Sequence, residues 1–422
     1  MDTNIFNAIS NNKLDIVIDL LNKNADIETI QADGTTLLHY SALKGKLDIA
    51  LELLNRNADV NSVDDNDRTP LHFASYQGYI DIVIELLNRN ADLSMTDGAD
   101  YTPLHCASIK GRKDVIIELL NRNADIEVLS EGNVTPLQYA SLGGYLDVVT
   151  ELLNRNSCIN TKNEVGATAL HYASNQGYKE IVIELLNHKA DIEATNNDNN
   201  TALIDATIKN HKHVVCELLD RKANIDAMDK DSDTALSHAA AKGHNAILIE
   251  LINRGAKLNV SNNNGATPLH NAAANGRTNN VIQLLEHNAD VNAKNESNCT
   301  PLHYACLAKK KDIIVELLNH NANIDIKADS NKTAYDFALL QDLSVDIIRL
   351  LKSDKLIDNV VKEDDLDYKN TLVKRITCSI CFLNERKIVF KCGHSTCIEC
   401  SENISNCSEC KAEIIDRITL YL

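Results

Sequence analysis

Thr69-Pro70-Leu71-His72-Phe73-Ala74-Ser75-Tyr76-Gln77-Gly78 decides the fold, because the chain repeats the phrase in register. Thr102-Pro103-Leu104-His105 follows 33 residues later, and Thr267-Pro268-Leu269-His270 and Thr300-Pro301-Leu302-His303 keep the same frame. Looser copies begin at Thr36, Thr135, Thr168, Thr201 and Thr234, with end copies at Thr3 and Thr333. Eleven threonines therefore stand 33 residues apart with no insertion between them. A fixed period of this length means one small unit stacked on copies of itself, each burying an apolar face that it cannot cover alone.

The unit reads as two helices. Thr69 can N-cap the first, and Pro70 suits the first helical position, where no N–H is needed. That helix stops near Gly78. Ile80, Val83, Ile84 and Leu87 then fall at i, i+3, i+4 and i+7, the spacing of a second amphipathic helix. It ends at Asn88-Arg89-Asn90-Ala91-Asp92.

A 33-residue period with a Thr-Pro-Leu-His-x-Ala core resembles the ankyrin family. The resemblance implies a mostly α solenoid in which the histidines His39, His72, His105, His171, His270 and His303 bond neighbouring turns rather than bind metal. Cys106, Cys158, Cys216, Cys299 and Cys306 are read as small core or turn residues. The family usually has Gly where Asn90 stands, at a left-handed turn that Asn tolerates next best. Asn24, Asn57, Asn123, Asn156, Asn288 and Asn321 repeat that choice, and Gly255 restores the glycine. Lys189 and Lys222 should make strained turns. The first and last units, with Ile5-Phe6 and Tyr335-Asp336 in place of Leu-His, look like caps.

Glu-Leu-Leu-Asn-Arg-Asn-Ala-Asp is nearly fixed between units and is framework. The hairpin tips and two positions late on the first helix vary. In ankyrin proteins these line the concave protein-binding face. The resemblance thus points to Arg68, Tyr76, Gln77, Tyr101, Ile109, Lys110, Asn175 and Gln176 as residues that touch a bound protein substrate. Tyr76 and Tyr101, read as exposed, are the kind of anchor that dominates interfaces. The units from Thr201 and Thr234 depart most: Asn210 replaces the helix-ending Gly, and Ile204 and Ser237 replace His. They read either as a softer joint or as a specialised contact.

The formal net charge is −18, which argues against a nucleic-acid partner for the bulk of the chain. Residues 371–422 carry seven Lys/Arg and six Asp/Glu, so the excess lies in the array. No basic stretch with an apolar run opens the chain, and no run approaches the roughly 18 apolar residues of a membrane span. These features lead to the expectation of a cytoplasmic protein, with the nucleus left open and no membrane partner. In a reducing compartment, twelve cysteines suggest metal before disulfides.

The cysteines gather after the repeats end. Cys378-x-x-Cys381, ten residues, Cys392-x-His394, two residues, Cys397-x-x-Cys400, six residues and Cys407-x-x-Cys410 offer eight soft ligands, enough for two tetrahedral zinc ions. With every position filled by protein, both zincs would be structural, and a segment this short needs them to fold. The ligand order resembles the RING family. Cys381-Phe382-Leu383-Asn384-Glu385-Arg386 and Phe390-Lys391-Cys392-Gly393-His394 look like the RINGs of inhibitor-of-apoptosis proteins.

That resemblance implies interleaved sites, Cys378, Cys381, Cys397 and Cys400 on one zinc and Cys392, His394, Cys407 and Cys410 on the other. It implies a ligase without a catalytic nucleophile, which holds a ubiquitin-charged conjugating enzyme. Ile380 and Ile404 match the family's apolar contacts to that enzyme, and Lys411 matches the basic residue bridging enzyme and ubiquitin. Tyr421 matches a near-terminal aromatic that touches ubiquitin across a RING homodimer; the tail Ile414–Leu422 reads equally as a plain edge strand. Ser408 and Glu409 depart from the family's Pro and apolar pair on the enzyme-facing loop.

The expected architecture is an ankyrin-repeat solenoid of about eleven repeats (1–354), a linker (355–375) and a small α+β RING zinc domain with a short tail (376–422). The expected function is substrate-selective ubiquitin ligation. The alternative is a non-catalytic scaffold that uses the RING for zinc-stabilised dimerisation. No phosphate loop, nucleophile elbow or open metal position supports another enzyme class.

Overall fold

The computed structural model describes residues 2–352, with side chains from Ile5 onward, and the backbone of residues 387–390, 395–397 and 417–419. The chain divides into two compact units, Met1–Ala322 and Asn323–Leu422. In the first, ten helix pairs run from Asp2–Ser10 to Lys311–Asn319.

Each pair starts as its sequence requires. Thr69 caps Pro70–Gln77 by accepting the His72 N–H, with Pro70 in the first turn and Gly78 left-handed at φ 86° at the end. His72 Nδ1 accepts the Thr69 N–H at 3.0 Å. The proton therefore sits on Nε2, which donates to the Tyr101 carbonyl of the next repeat at 2.8 Å. His39, His105, His171 and His270 make the same link to Arg68, Val134, Asn200 and Cys299 at 2.7–3.1 Å. These five histidines are structural, as expected, and His303 accepts the Thr300 N–H in the same way.

Three further ladders join the repeats. At the hairpin tips, Asp65 N donates to Asp33 O, and Gly98, Glu131, Glu164, Asn197, Lys230, Asn263 and Glu296 continue the series. Gly265 shows how close the tips run: at φ 72°, a Cβ there would stand 2.6 Å from the Glu296 nitrogen. At the far edge, Arg56, Arg89, Arg122, Arg155 and Arg221 each donate to the Asn side chain ending the preceding repeat's second helix, at 2.6–3.0 Å. Where the chain turns back, the Asp59, Asp92, Cys158 and Asp191 N–H groups donate to Glu28, Asn61, Glu127 and Asn160 side chains. These bonds explain why Glu-Leu-Leu-Asn-Arg-Asn-Ala-Asp is framework.

Two expectations need correction. The second helix, Ile80–Asn88, buries Ile82, Val83, Leu86 and Leu87, while Ile80 and Ile84 are only half-buried. The run Ile82-Val83-Ile84 satisfies two helical faces, and contact with both the first helix and the neighbouring repeats selects between them. The first helix begins at Asp2, so Thr3 lies inside it rather than ahead of it. Cys106, Cys299 and Cys306 are buried, Cys216 is half-buried and Cys158 is exposed at its turn. The turns at Lys189 and Lys222 are left-handed, at φ 66° and 67°.

In the second unit, Thr333 caps Ala334–Leu340 through Asp336, whose Oδ2 accepts the Thr333 N–H at 2.8 Å, and Val345–Leu350 follows. A three-stranded antiparallel sheet has Lys387–Phe390 in the middle, paired with Ser395–Cys397 and Arg417–Thr419. Among the described residues, no helix is long and apolar enough to cross a membrane.

Candidate protein-binding face

The first helices and hairpins present two register columns, partly buried by the stacking. One is the residue before each capping Thr; the other follows each structural His. Over the early repeats these columns and their neighbours are aromatic and cationic. Arg68 donates from Nε and Nη2 to Asp64 Oδ2 at 2.9 and 2.6 Å and lays its guanidinium 4.6 Å from the Phe73 ring centre. Burial opposes the Asp64 charge, but the Arg68 bonds outweigh it and hold the carboxyl below its ordinary range. Tyr76 is 39% exposed, and the Lys110 ammonium sits 4.7 Å from its ring centre. Tyr101 is half-buried rather than exposed: its ring packs edge-on to Tyr139, whose hydroxyl lies 3.1 Å from its own. Burial pushes the Tyr139 hydroxyl up to about 12.

Gln77, Ile109 and Asn175 are half-buried and Gln176 is exposed. The Asn175 carbonyl accepts from His211 Nε2 at 2.9 Å, so its backbone serves the stack while its side chain belongs to the face. Of the eight residues expected on the face, Tyr76, Lys110 and Tyr101 make cation–ring or aromatic contacts between successive repeats, and Arg68 makes one within its own.

The sequence reading missed the middle of the face. The column after each His carries Tyr40, Phe73, Cys106, Tyr139 and Tyr172, then Asp205, His238 and Asn271, and Tyr304 again. Asp205 Oδ1 accepts from Asn200 Nδ2 at 3.1 Å, and burial pushes its pKa up to about 6. His238 Nε2 lies 2.8 Å from Asp229 Oδ2. The Asp233 carboxylate accepts from Asn271 at Oδ1 and Asn262 at Oδ2, both at 3.1 Å. Beside it opens a cleft of about 330 Å³, bounded by Asn271, Ala274, Asn295, Glu296 and Tyr304 among others. The signal was present: aligning the column after His would have exposed the switch from rings to amides and carboxylates.

Ile380, Ile404, Lys411 and Tyr421 lie outside the described residues, as do seven of the eight zinc-type ligands. Cys397 is described as backbone, in the strand Ser395–Cys397. In the sequence, Cys392 and His394 fall between the residues of the paired strands Lys387–Phe390 and Ser395–Cys397. Among the described residues, no group of three or more His, Cys, Asp or Glu is placed to hold a metal.

The sequence matches the family described as ankyrin repeats (3 copies) over residues 5–97, 91–163, 157–229 and 214–295, and that described as ankyrin repeats (many copies) over 284–338. Short stretches are similar to three curated proteins. E3 ubiquitin-protein ligase RGLG4 of Arabidopsis thaliana is 44% identical over 45 residues, 11% of this chain and 11% of that one. E3 ubiquitin-protein ligase MIB2 of Gallus gallus is 41% identical over 49 residues, 12% of this chain and 5% of that one. Apoptosis inhibitor 193R of Invertebrate iridescent virus 6 is 40% identical over 48 residues, 11% of this chain and 23% of that one. The match thus spans about a tenth of the first relative's length and less of the second's.

Proposed function

The chain belongs to the ankyrin-repeat family, and from that premise we propose that it is a RING-type ubiquitin ligase whose repeat face selects a protein substrate. Ankyrin arrays bind proteins, and the face from Arg68 to Gln176 supplies rings, an exposed tyrosine and placed cations for such contact. One observation carries the ligase reading: a recognition array is followed in the same chain by seven cysteines and a histidine in RING order, Cys378 to Cys410. The ubiquitin-ligase names of two short-range relatives agree with it.

Two zinc ions fit this donor set, because thiolates and one imidazole in four pairs suit tetrahedral zinc. Bound zinc would supply structure and leave no position for water. Cys378, Cys381, Cys397 and Cys400 would hold one ion and Cys392, His394, Cys407 and Cys410 the other. Ile380 and Ile404 would then contact the conjugating enzyme, Lys411 would bridge it to ubiquitin, and Tyr421 would touch ubiquitin across a RING homodimer. The substrate lysine attacks the thioester that the conjugating enzyme carries; this chain positions and contributes no nucleophile.

The full chain, incubated with activating enzyme, ATP, ubiquitin and a panel of conjugating enzymes, should build ubiquitin chains or modify itself. Ile380→Ala should retain zinc and lose at least 90% of that activity, and undiminished activity in the folded variant would sink the mechanism. Ser408 and Glu409, polar where the RING resemblance implies Pro and an apolar residue, favour a second reading, a zinc-stabilised scaffold without ligase activity. Two bound zincs with silence across the panel would select it.

A further inference from the structure

The concave face changes chemistry along its length. The column after each His supplies Phe73, Cys106, Tyr139 and Tyr172 early and Asp205, His238 and Asn271 in three consecutive later repeats. Three residues further along the same helices, Tyr76, Ile109 and Leu142 are followed by Asn175 and Ile208 and then by Ala241 and Ala274. Phenyl and phenol rings thus give way to a carboxylate, an imidazole and an amide from Asp205 on, small residues replace large ones from Ala241 on, and the loss of bulk at Asn271 and Ala274 goes with the 330 Å³ cleft.

Asp205 is the most informative of these residues. It keeps only 8% of its surface, and one oxygen accepts from Asn200. The other makes no hydrogen bond among the described residues. The preceding repeat places Tyr172 at this position and the next places His238, so nothing in the stacking demands a carboxylate there. A carboxylate this buried, with one oxygen left to solvent, works against stability and is the kind of group retained for something that binds it. One repeat on, the amides of Asn262 and Asn271 orient the Asp233 carboxylate without neutralising it. The Asn271 amide oxygen makes no hydrogen bond among the described residues, and Glu296 lies across the cleft with no Lys or Arg in the lining. Of the nearby cations, Lys230 is engaged with Asp198 at a tip, and exposed Lys209 favours the Asp205 charge less than burial opposes it.

We propose that the stretch from Asp205 to Glu296 receives basic side chains of a bound polypeptide whose apolar side chains lie on the Tyr76–Ile109–Tyr139 stretch. The face would then read one segment, apolar at one end and basic at the other, in a fixed direction. This rests on the reading of the concave face as the substrate-binding surface and narrows it to a class of sequence. Three to four repeats, at about 10 Å per layer, separate the two stretches. An extended chain covers that span in about 10–12 residues.

The test uses the full chain and a phage-displayed library of random 16-residue peptides, with recovered peptides measured by fluorescence anisotropy. We expect peptides carrying an apolar cluster and a Lys/Arg cluster in one constant order. Asp205→Asn with Asp233→Asn should weaken them at least tenfold in low salt and flatten the salt dependence, because exposed and half-buried charge pairs are screened. Tyr76→Ala with Ile109→Ala should weaken them with the salt slope kept. Circular dichroism melts establish that each variant folds. If the double Asn variant does not fold, Lys/Arg→Gln in the peptide, against the unaltered chain, decides the matter by the same tenfold criterion. Peptides that need Tyr76 and Ile109 but carry no basic cluster, and that ignore the Asn substitutions, overturn this inference and leave the face itself standing. Recovery of no peptides, or of peptides indifferent to both variant pairs, overturns the inference and the substrate-binding reading together.

Discussion

His105 accepts the Thr102 N–H on Nδ1 at 3.1 Å and donates from Nε2 to the Val134 carbonyl at 3.1 Å, a role only a neutral imidazole can fill. Burial enforces that neutrality, lowering its pKa from 6.5 to about 4. The folded value lies below the unfolded one, so under pH 6.5 the unfolded chain binds a proton that the folded chain refuses. Stability is therefore lost as pH falls from 6.5 to 4, by about 3 kcal/mol for this residue, and levels off below. The fifth repeat shows how to remove the dependence: Gln138 accepts the Thr135 N–H at 3.0 Å and donates to the Ala167 carbonyl at 3.0 Å without titrating. His105→Gln should keep stability at pH 7 within about 1 kcal/mol and blunt the loss at pH 4.5, as read from urea midpoints at both values. An unchanged acid sensitivity would show that this link is not what acid breaks. Asp205 titrates with the opposite sign. Its pKa is raised from 3.8 to about 6, so it weakens the fold above pH 6 and ceases to do so below 3.8. Asp205→Asn should stabilise the chain by about 2–3 kcal/mol at pH 7.5 and leave it unchanged below pH 3.8, measured as the same midpoints. At this scale the threonines, histidines and left-handed asparagines were legible in the sequence, because each answers to backbone groups of its own or the next repeat. Asp205 was not, because its meaning lies in what its neighbours have in the same column.

Each second helix needs an aliphatic residue where it meets the preceding repeat, and Ile49, Ile82, Val115, Val148, Ile181, Val214, Ile247 and Ile313 supply it. Asn280 stands in that column, 2% exposed, with Nδ2 donating to the Ala239 carbonyl at 2.9 Å. That carbonyl already accepts the Gly243 and His244 N–H groups, and the amide's second contact, to the Ala240 carbonyl, is long at 3.5 Å, so its loss orphans little. Asn280→Val should therefore raise stability by about 1–2 kcal/mol in chemical denaturation, since exchanging a buried amide for a methyl pair removes a desolvation cost. A fall in stability would mean that the bond to Ala239 fixes the seating of this helix. Helix existence, order and ends followed from the sequence through Thr, Pro, Gly and Asn. The buried face of Ile80–Asn88 did not, because three consecutive aliphatics fit two faces and the choice between them is tertiary. The Arg-to-Asn ladder was visible only as invariance between copies. Its geometry, a donor one period beyond its acceptor, becomes apparent once the repeats are stacked.

Over the whole molecule, stability has two physical origins. Residues 1–322 are held by contacts between successive repeats, the periodic links of His, tip, Arg and turn, none of which needs a metal. The segment from Cys378 to Cys410, read as proposed, has little apolar surface to bury and depends on zinc. The −18 net charge gathers in the array, where it suits the basic partner segment proposed for the concave face. Removing zinc with a strong chelator from the full chain should then abolish ubiquitin discharge while leaving the helical circular dichroism and its main melting midpoint within about 1 °C, because a solenoid's stability is a sum over neighbouring repeats. Added zinc should restore discharge. A chelator that lowers the main midpoint by several degrees would show that the array leans on the metal segment, and discharge that survives two-zinc removal would place the activity outside Cys378–Cys410.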